Sequence, residues 1–348
     1  MERRQIAFVG LNFGRTIIER LRRGKGNQFF EVAAVCDSDR QKAERVAAEL
    51  GVRAYFGLDQ LLADPESPAV VGLFTGPAGR AELIRQLIRR GKDVMTTKPF
   101  ETDPRTALQV LQEAGQMGRI VHLNSPTPVP TGDLRQMEEW AEQYRLGRPV
   151  ACRCDTWCSY REKPDGSWYD DPELCAAAPI LRIGIYLIND LVRIFGPAAQ
   201  VNVLQSRIFT ERPTADNAQL GILFRNGAIA NVFASFCTQD GDYYKDSLVL
   251  NYERGTIYRS SGPGRKETGE GDRTRLALKT LDETGRHIVE ETVADGYCGE
   301  YQWEIFYRAL QGEVFPDQIR PEQVAEGIKI LAAMAEAAKT GMTTAIAG

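Results

Sequence analysis

The N-terminal stretch constrains the fold most, because it changes from strand to helix periodicity within a few residues. An apolar run, Ile6–Val9, ends at Gly10 and is followed by apolar positions at helical spacing: Phe13, Ile17 and Leu21. This order predicts a buried strand, a tight glycine turn and an amphipathic helix. The first turn of such a helix can bind a dinucleotide pyrophosphate, since its free N–H groups and the helix dipole favour negative charge.

The glycine fingerprint of dinucleotide-binding turns is incomplete in this chain. Gly10 supplies the tight turn, but Asn12 stands at the second glycine position, Arg15 stands at the third, and Gly14 lies one residue early. Asparagine adopts positive φ more readily than most residues, so the turn can persist. By itself, the stretch is compatible with a cofactor loop and equally with a non-nucleotide α/β turn.

An acidic residue follows the second predicted strand. Residues 31–36 are predicted to form this strand, and Asp37 comes directly after it. A carboxylate at this place holds the adenosine ribose hydroxyls and repels a 2′-phosphate, which favours NAD over NADP. Ser38 and Arg40 follow and can accommodate a phosphate, so NADP stays open. Asp37 is also suited to cap a helix that begins near Asp39.

Strand and helix patterns alternate through residues 1–124. Later strands are predicted at 69–74, 93–97 and 120–123, within a pattern of six strands. Repeated β–α units of this length predict an open parallel sheet, with ligands bound outside the carboxyl ends of its strands. The segments 75–77 and 98–99 and the residue Asn124 follow directly after such ends.

Residues 125–348 have a different texture. A proline-rich break at 125–132 precedes a series of alternating runs, which end before two C-terminal helices. The runs lie at 150–159, 201–210, 219–224, 228–237, 247–252, 256–259, 276–281 and 287–292. Asn226-Gly227 predicts a hairpin turn, and 260–272 predicts a polar loop. We therefore expect a second, α+β domain built on a large, open, mostly antiparallel sheet.

Composition excludes several classes of function. With 43 basic and 47 acidic residues the net charge is −4, and neither a nucleic-acid footprint nor an apolar run of membrane-spanning length is present. The N-terminus leads straight into the first strand, and seven scattered cysteines are typical of a reducing compartment, so we expect a cytoplasmic protein. Cys152, Cys154 and Cys158 share one strand face, which is more typical of a core than of a metal site. The whole chain has only two histidines, so we expect no metal.

Taken in order along essentially the whole chain, these features resemble the glucose–fructose oxidoreductase/inositol dehydrogenase/MocA family. The matching elements are the glycine turn near residue 10, Asp37, the segment 75–77, the pair Lys98-Pro99, the segment 168–174 and the run Gly184-Ile185-Tyr186-Leu187-Ile188-Asn189. The resemblance implies an NAD(P)-dependent oxidoreductase with a Rossmann domain, acting on a sugar, a polyol or a derivative. It implies cofactor contacts at Gly10, Asn12, Phe13, Gly14, Asp37, Ser38, Thr75, Gly76, Pro77, Lys98, Pro99 and Asn124.

The resemblance also implies a catalytic pair. Lys98 matches the lysine of the family's Glu-Lys-Pro motif, with Thr97 in place of the glutamate. Tyr186 stands where the family has a histidine or, in the glucose–fructose oxidoreductase and dihydrodiol dehydrogenase branches, a tyrosine. A phenol, whose free pKa is about 10, can exchange the substrate proton if a nearby ammonium lowers that value. The alternative for Tyr186 is a core aromatic residue on a helix face.

Some positions depart from the family pattern. Arg80 replaces a histidine that is common after the 75–77 loop, and Arg182 replaces an aspartate four residues before the acid/base position. If Arg182 faces the site, it suits a carboxylate- or phosphate-bearing substrate; the alternative is a structural, ion-paired arginine. We expect further substrate contacts at Asn189, Trp157 and Trp168, although the two tryptophans are also compatible with plain packing.

Family members pair through the exposed face of the second sheet, so the resemblance implies a homodimer or homotetramer. A large bare sheet would also favour association on physical grounds. A second hypothesis is a catalytically degenerate cofactor-binding sensor, because Asn12, Thr97 and Arg182 are all off-pattern. A third is an enzyme that keeps its cofactor bound and shuttles hydride between two substrates.

Overall fold

The computed structural model describes residues 2–239, 245–261, 273–296 and 299–347. The chain falls into two compact units, each with its own sheet. The first unit comprises Met1–Val129 and Tyr301–Pro321, and the second comprises Pro130–Glu300 and Glu322–Gly348.

Helices and strands make up most of the described residues. The strands are β1 (Arg4–Val9), β2 (Phe30–Cys36), β3 (Arg53–Tyr55), β4 (Val70–Leu73), β5 (Asp93–Thr96), β6 (Val121–Leu123), β7 (Pro149–Trp157), β8 (Ala198–Ser206), β9 (Asn217–Phe224), β10 (Ile229–Ser235), β11 (Lys245–Tyr252), β12 (Gly255–Ser261), β13 (Arg273–Leu281), β14 (His287–Asp295) and β15 (Thr344–Ala345). The α-helices are α1 (Leu11–Arg23), α2 (Arg40–Leu50), α3 (Leu58–Ala63), α4 (Arg80–Arg89), α5 (Pro104–Gln116), α6 (Gly132–Gln143), α7 (Ile185–Phe195), α8 (Trp303–Leu310) and α9 (Pro321–Thr340). Short 3₁₀ turns lie at Lys25–Gln28 and Trp168–Asp170, and a π-helical turn lies at Ile180–Gly184.

The first unit contains a parallel sheet in the order β3–β2–β1–β4–β5–β6. β1 is central, and its residues Ile6, Ala7 and Phe8 are fully buried, as expected for a parallel strand covered on both faces. The winding reverses between β1 and β4, and ligands of open α/β sheets bind at that point. The predicted six-stranded parallel sheet is confirmed, although the sequence patterns do not show β3 individually.

Helix α8 belongs to the first unit, whereas the sequence patterns predict one boundary, after residue 124. Its Phe306 is fully buried and stacks on Phe30 of β2, with ring centroids 5.4 Å apart. Just before α8, the Gln302 side chain donates to the Val129 carbonyl over 3.0 Å and accepts from the Val129 N–H over 3.3 Å. These contacts are long-range, so position along the chain does not reveal them.

The second unit is built on a nine-stranded sheet in the order β14–β13–β12–β11–β7–β10–β9–β8–β15. β7 and β10 pair in parallel, and the other neighbouring strands pair antiparallel. One face buries Cys152, Cys154 and Thr156 of β7, where the π-helical turn and α7 pack. The other face carries the alternate residues of each strand and is largely open.

The predicted α+β domain with a mostly antiparallel sheet is confirmed. All eight predicted strands are present, and Asn226-Gly227 forms the turn between β9 and β10, with Gly227 at φ 88°. β15 is too short to leave a sequence pattern. The predicted polar loop at 260–272 lies outside the described residues from 262 onward. Among the described helices, none has the length and apolar character needed to span a bilayer.

Candidate active site

The glycine turn after β1 is required by space as well as by backbone angle. Gly10 has φ 86°, and a Cβ atom there would lie 2.9 Å from the Phe74 carbonyl carbon and 3.0 Å from the Thr75 nitrogen. The turn therefore brings the start of α1 directly against the end of β4. Asn12 and Phe13 are exposed in the first turn of α1, and the Phe13 ring makes an edge contact with Phe74.

Asp37 lies at the carboxyl end of β2 and binds the turn. Its Oδ2 accepts the Leu11 N–H over 2.8 Å, and its Oδ1 accepts the Asp39 N–H over 2.9 Å. Asp39, rather than Asp37, caps α2 by accepting the Lys42 N–H over 3.1 Å. The prediction that Asp37 caps this helix is therefore wrong.

Lys42 brings a positive charge to the same edge, and sequence reasoning missed it. Its ammonium donates to Asn12 Oδ1 over 2.7 Å and lies 3.6 Å from Asp37 Oδ1. Ser38, which follows Asp37 in the sequence, is exposed. The edge that would hold the adenosine ribose thus carries both a carboxylate, which suits free hydroxyls, and an ammonium, which suits a 2′-phosphate.

Arg80 links the loops that follow β4 and β5. Its guanidinium, which is 1% exposed, donates to the carbonyls of Thr75, Thr97 and Pro99. The bond to Thr97 is 2.5 Å long. The backbone carbonyls of Thr97 and Pro99, on both sides of Lys98, therefore bind one buried guanidinium, that of Arg80. From the sequence, Arg80 could be identified only as a departure from the family pattern.

Asn124 and Glu101 complete this edge. Asn124 is buried, and its Oδ1 accepts the Lys98 N–H over 3.0 Å. Glu101, also buried, accepts the Ala81 N–H over 2.8 Å at the start of α4, where the helix dipole favours a carboxylate. Lys98 itself is half-buried and joins Pro99 through a cis peptide. Of the cofactor residues predicted here, Gly76 is exposed and Pro77 is buried.

The observed edge fits a dinucleotide. The N-cap residue of α1, Gly10, has no side chain, and the first turn of α1 contains no acidic residue; the Asp37 carboxylate accepts the Leu11 N–H, and the helix dipole still gives this end a positive character. The predicted residues of the first unit all lie at or next to the carboxyl ends of parallel strands, from β1 at Gly10 to β6 at Asn124. This is where a Rossmann sheet binds its cofactor.

In the second unit, Tyr186 and Asn189 lie on α7, directly after the π-helical turn. Between Ile185 and Val192 every side chain except Tyr186 is buried; Tyr186 is half-buried and packs against the core. Gly184, the residue before α7, packs closely on β10: a Cβ atom there would lie 3.3 Å from Val232 Cγ1.

Arg182 has the structural role that sequence analysis left as the alternative. Its guanidinium forms a two-pronged ion pair with Glu162, at 2.7 and 2.9 Å, and lies 3.9 Å from the centroid of the Tyr169 ring. Burial opposes the ionisation of Glu162, but the hydrogen bonds and charges of Arg182 and Arg212 outweigh it and hold the pKa of that carboxyl below its usual range. Arg182 is 9% exposed, and the Glu162 carboxylate compensates its charge inside the protein.

The two predicted stacking tryptophans lie in different places. Trp157 points to the open face of the second sheet, opposite Cys154, with the Lys245 ammonium 5.5 Å from its ring. α7 packs on the other face, so this position argues against a shared contact with Tyr186. Trp168 is half-buried against the same core as Tyr186, with its ring centroid 4.3 Å from that of Tyr169.

The described residues contain no group of three or more metal-ligating side chains. The cysteines of β7 are instead part of the core, and the hydrogen bond between the Cys152 and Cys154 thiols, together with burial, raises the pKa of the Cys154 thiol.

Comparison with known proteins decides the family. Residues 4–125 match the oxidoreductase family with an NAD-binding Rossmann fold, and residues 134–258 match the GFO/IDH/MocA C-terminal domain. The chain belongs to the GFO/IDH/MocA oxidoreductase family. It is therefore an NAD(P)-dependent oxidoreductase, from a family that acts on sugars and polyols.

Similar proteins cover most of the chain or about a third of it. D-xylose 1-dehydrogenase (NADP(+)) 2 of Haloferax volcanii is 28% identical over 326 residues, which cover 89% of this chain and 90% of that protein. Inositol 2-dehydrogenase 1 of Mycolicibacterium vanbaalenii is 31% identical over 125 residues, or 35% of this chain and 36% of that protein. The solved structure of levoglucosan dehydrogenase with NADH and L-sorbose covers 100% of both chains, with a TM-score of 0.74 and 16% identity, and so shares the fold.

Proposed function

We propose that this GFO/IDH/MocA protein oxidises or reduces a neutral sugar or polyol at a CH–OH carbon, with Tyr186 exchanging the proton and Lys98 polarising the substrate oxygen. The observation that carries the proposal is the exposure pattern of α7, where Tyr186 alone stays partly accessible within an otherwise buried stretch. Relatives named as xylose and inositol dehydrogenases support the substrate class. We favour a neutral substrate because Arg182 is already paired with Glu162.

The chain's own residues supply the proton and the positioning. The bound nicotinamide supplies or accepts the hydride. Tyr186 accepts the hydroxyl proton at its Oη when an alcohol is oxidised and donates it when a carbonyl is reduced. Lys98 contributes an ammonium that polarises the substrate oxygen, and Arg80 and Asn124 hold the backbone on which it stands. Asn189 and Trp168 are the proposed substrate contacts.

Tyr186→Phe tests the proton transfer directly. We expect turnover to fall by about 10²- to 10⁴-fold, the usual contribution of a positioned acid/base, while the Kd for NADH stays the same. Tyr258→Phe is the matched control, because Tyr258 is 39% exposed on β12 and lies on the face of the sheet opposite α7. Retention of more than a tenth of wild-type turnover in Tyr186→Phe would contradict the proposal. NADH binding with no turnover on any neutral sugar or polyol of a panel would instead favour the sensor hypothesis.

Gly10→Ala tests the cofactor turn. The added methyl would lie within 3.0 Å of the end of β4, so we expect the Kd for NAD(P)H to rise at least about tenfold. Gly51→Ala is the control, because Gly51 also has positive φ, 68°, but open space around its Cβ position. Equal losses of affinity in the two variants would show that strain alone, rather than the approach to β4, explains the effect.

The pair Asp37 and Lys42 is proposed to set the choice between NAD and NADP. Removal of the ammonium in Lys42→Ala is expected to weaken NADPH binding more than NADH binding, because only NADPH carries the 2′-phosphate. Asp37→Ala is expected to change the ratio of the two Kd values in the opposite direction. Fluorescence titration with both nucleotides measures the ratio, and an unchanged ratio in both variants would contradict this assignment.

We also propose a homodimer or homotetramer that forms through the open face of the second sheet. Strand register puts exposed apolar residues on that face, including Leu204 (74% exposed), Ile229 (58%) and Val289 (57%). Sedimentation of a Leu204→Glu/Ile229→Glu variant should show dissociation toward the monomer. Val314→Glu, at an 83% exposed site outside this sheet, should leave the assembly intact.

A further inference from the structure

We propose that two glycines, Gly299 and Gly327, are positioning residues that set where the side chains of Tyr186 and Asn189 lie. The inference rests on the proposed function, since it concerns the same two side chains. Both glycines come from the C-terminal part of the second unit, and both contact α7 at the residues for which we propose a function.

Gly299 lies directly against the Tyr186 ring. A Cβ atom at Gly299 would be 2.4 Å from Tyr186 Cε1, 2.8 Å from Cδ1 and 3.0 Å from Cζ, and these are its three nearest neighbours. Ordinary contact between such carbons begins at about 3.5 Å. Any side chain at Gly299 therefore forces the ring to move by about 1 Å, and the phenol oxygen moves with it. Displacements of this size in a reacting group can reduce the rate about 100-fold.

Gly327 has the same relation to Asn189. It lies inside α9, and a Cβ atom there would be 2.3 Å from Asn189 Oδ1 and 3.6 Å from Asn189 Cγ, with no other described neighbour within 4 Å. Glycine is unfavourable in a helix interior, so its presence needs a local reason. The space kept free by Gly327 is occupied by the Asn189 amide, which is 6% exposed.

The common feature is that each missing methyl group would meet one proposed site residue. Other close glycines of the second unit meet ordinary structural atoms, as Gly255 meets Leu146. Tyr186 and Asn189 are three residues apart on α7, so they lie on one helix face. The segments that carry Gly299 and Gly327 therefore leave space on that face for the side chains of Tyr186 and Asn189, whose positions matter for the proposed chemistry.

Gly299→Ala is the first test, with Gly285→Ala as its matched control. Both glycines have positive φ, 91° and 83°, but nothing lies within 4 Å of the Cβ position at Gly285. The control therefore reproduces the backbone strain without the contact. We expect Gly299→Ala to lower kcat about 10- to 100-fold with the Kd for NADH unchanged, and Gly285→Ala to keep kcat within about twofold. Equal kcat values in the two variants would overturn the inference.

A double-mutant cycle separates the contact from the chemistry. In the wild-type background, the urea midpoint of Gly299→Ala should fall more than that of Gly285→Ala. In a Tyr186→Ala background, where the ring is absent, the two glycine variants should lower the midpoint by the same amount. An equal extra loss for Gly299→Ala in both backgrounds would overturn the inference. A loss that depends on the ring, with kcat unaffected, would instead contradict the proposed role of Tyr186, so the two failures are distinguishable.

Gly327→Ala provides the second test, with Gly115→Ala in α5 as the helical control. Gly115 has open space at its Cβ position, so alanine there should raise the urea midpoint slightly. Gly327→Ala should lower the midpoint and raise the KM for the sugar at least about fivefold with a smaller change in kcat. In an Asn189→Ala background it should become as harmless as Gly115→Ala. A lowered midpoint in that background would overturn the inference for Gly327.

Discussion

Replacement of Arg80 by methionine is expected to destabilise the first unit by about 3 to 5 kcal/mol. The guanidinium is 1% exposed and donates to three backbone carbonyls, those of Thr75, Thr97 and Pro99. A hydrogen bond to a charged group contributes about 1.5 to 3 kcal/mol, and a buried acceptor left without a donor costs about 1 to 3 kcal/mol. The sum over three carbonyls overestimates the loss, because methionine also removes the cost of burying a charge, so we expect a value of about 3 to 5 kcal/mol, in the lower part of that sum.

The assay is urea unfolding combined with hydrogen exchange. The methionine retains most of the volume of the arginine side chain, so the measured loss reports the lost donors rather than a cavity. We expect faster exchange in the segments 75–81 and 96–101 and a Kd for NADH at least about tenfold higher, because both loops approach the cofactor edge. Arg89→Met is the control: Arg89 lies on the same helix, its side chain is 60% exposed, and its ion pair with Glu113 contributes at most about 1 kcal/mol.

Arg80→Lys separates charge from geometry. A lysine keeps the positive charge, but its single ammonium cannot reproduce the planar, forked set of donors that reaches three carbonyls. We expect an intermediate loss of stability. The reasoning would be refuted if Arg80→Met cost less than about 1 kcal/mol, or if it matched Arg89→Met in both stability and cofactor affinity.

Two further predictions concern charged groups buried in the second unit. Burial raises the pKa of Asp190 to about 6, although the Arg259 guanidinium, 2.8 Å away, opposes the shift. Between about pH 4 and pH 6 the folded protein keeps a proton that the unfolded chain has released, so stability should fall by about 2 kcal/mol as the pH rises; urea unfolding at both pH values should show no such fall in Asp190→Asn. Arg182→Met should lower stability by about 1 to 3 kcal/mol, because it removes both hydrogen bonds from this guanidinium to Glu162, which then keeps only its pair with Arg212 at 2.9 Å; the KM for a neutral sugar should stay within about threefold.

The architecture was predictable because both sheets impose a period on the sequence. In β9 and β10 every second residue is buried, so hydrophobic alternation marks the strands and Asn226-Gly227 marks the turn between them. In the first unit, the continuous apolar run of β4 reflects burial on both faces. Helix α8 shows the limit: its aromatic face predicts that it is buried, but not that its partner is Phe30, near the other end of the chain.

The cofactor edge was predictable where one backbone feature demands one residue type. Gly10 could be identified because the turn needs positive φ, and Asp37 because it follows a strand end. Lys42 and Arg80 act through side chains that reach other loops. The sequence does not show which acceptors these two side chains reach, because the acceptors are far away along the chain: Asn12 is 30 residues from Lys42, and the Pro99 carbonyl is 19 residues from Arg80.

Arg182 shows how a small departure in helix geometry redirects a predicted site residue. In a continuous α-helix, residues four apart lie on one face, so Arg182 would share the face of Tyr186. The segment Ile180–Gly184 is instead a π-helical turn, with wider i→i+5 bonding, so this spacing no longer aligns the two side chains. Arg182 turns toward Glu162 and the Tyr169 ring, while Tyr186 keeps its partial exposure at the start of α7. A single π-helical turn is too short to be recognised from hydrophobic spacing, so the sequence leaves both roles of Arg182 open, whereas in the folded chain its charge is paired with Glu162.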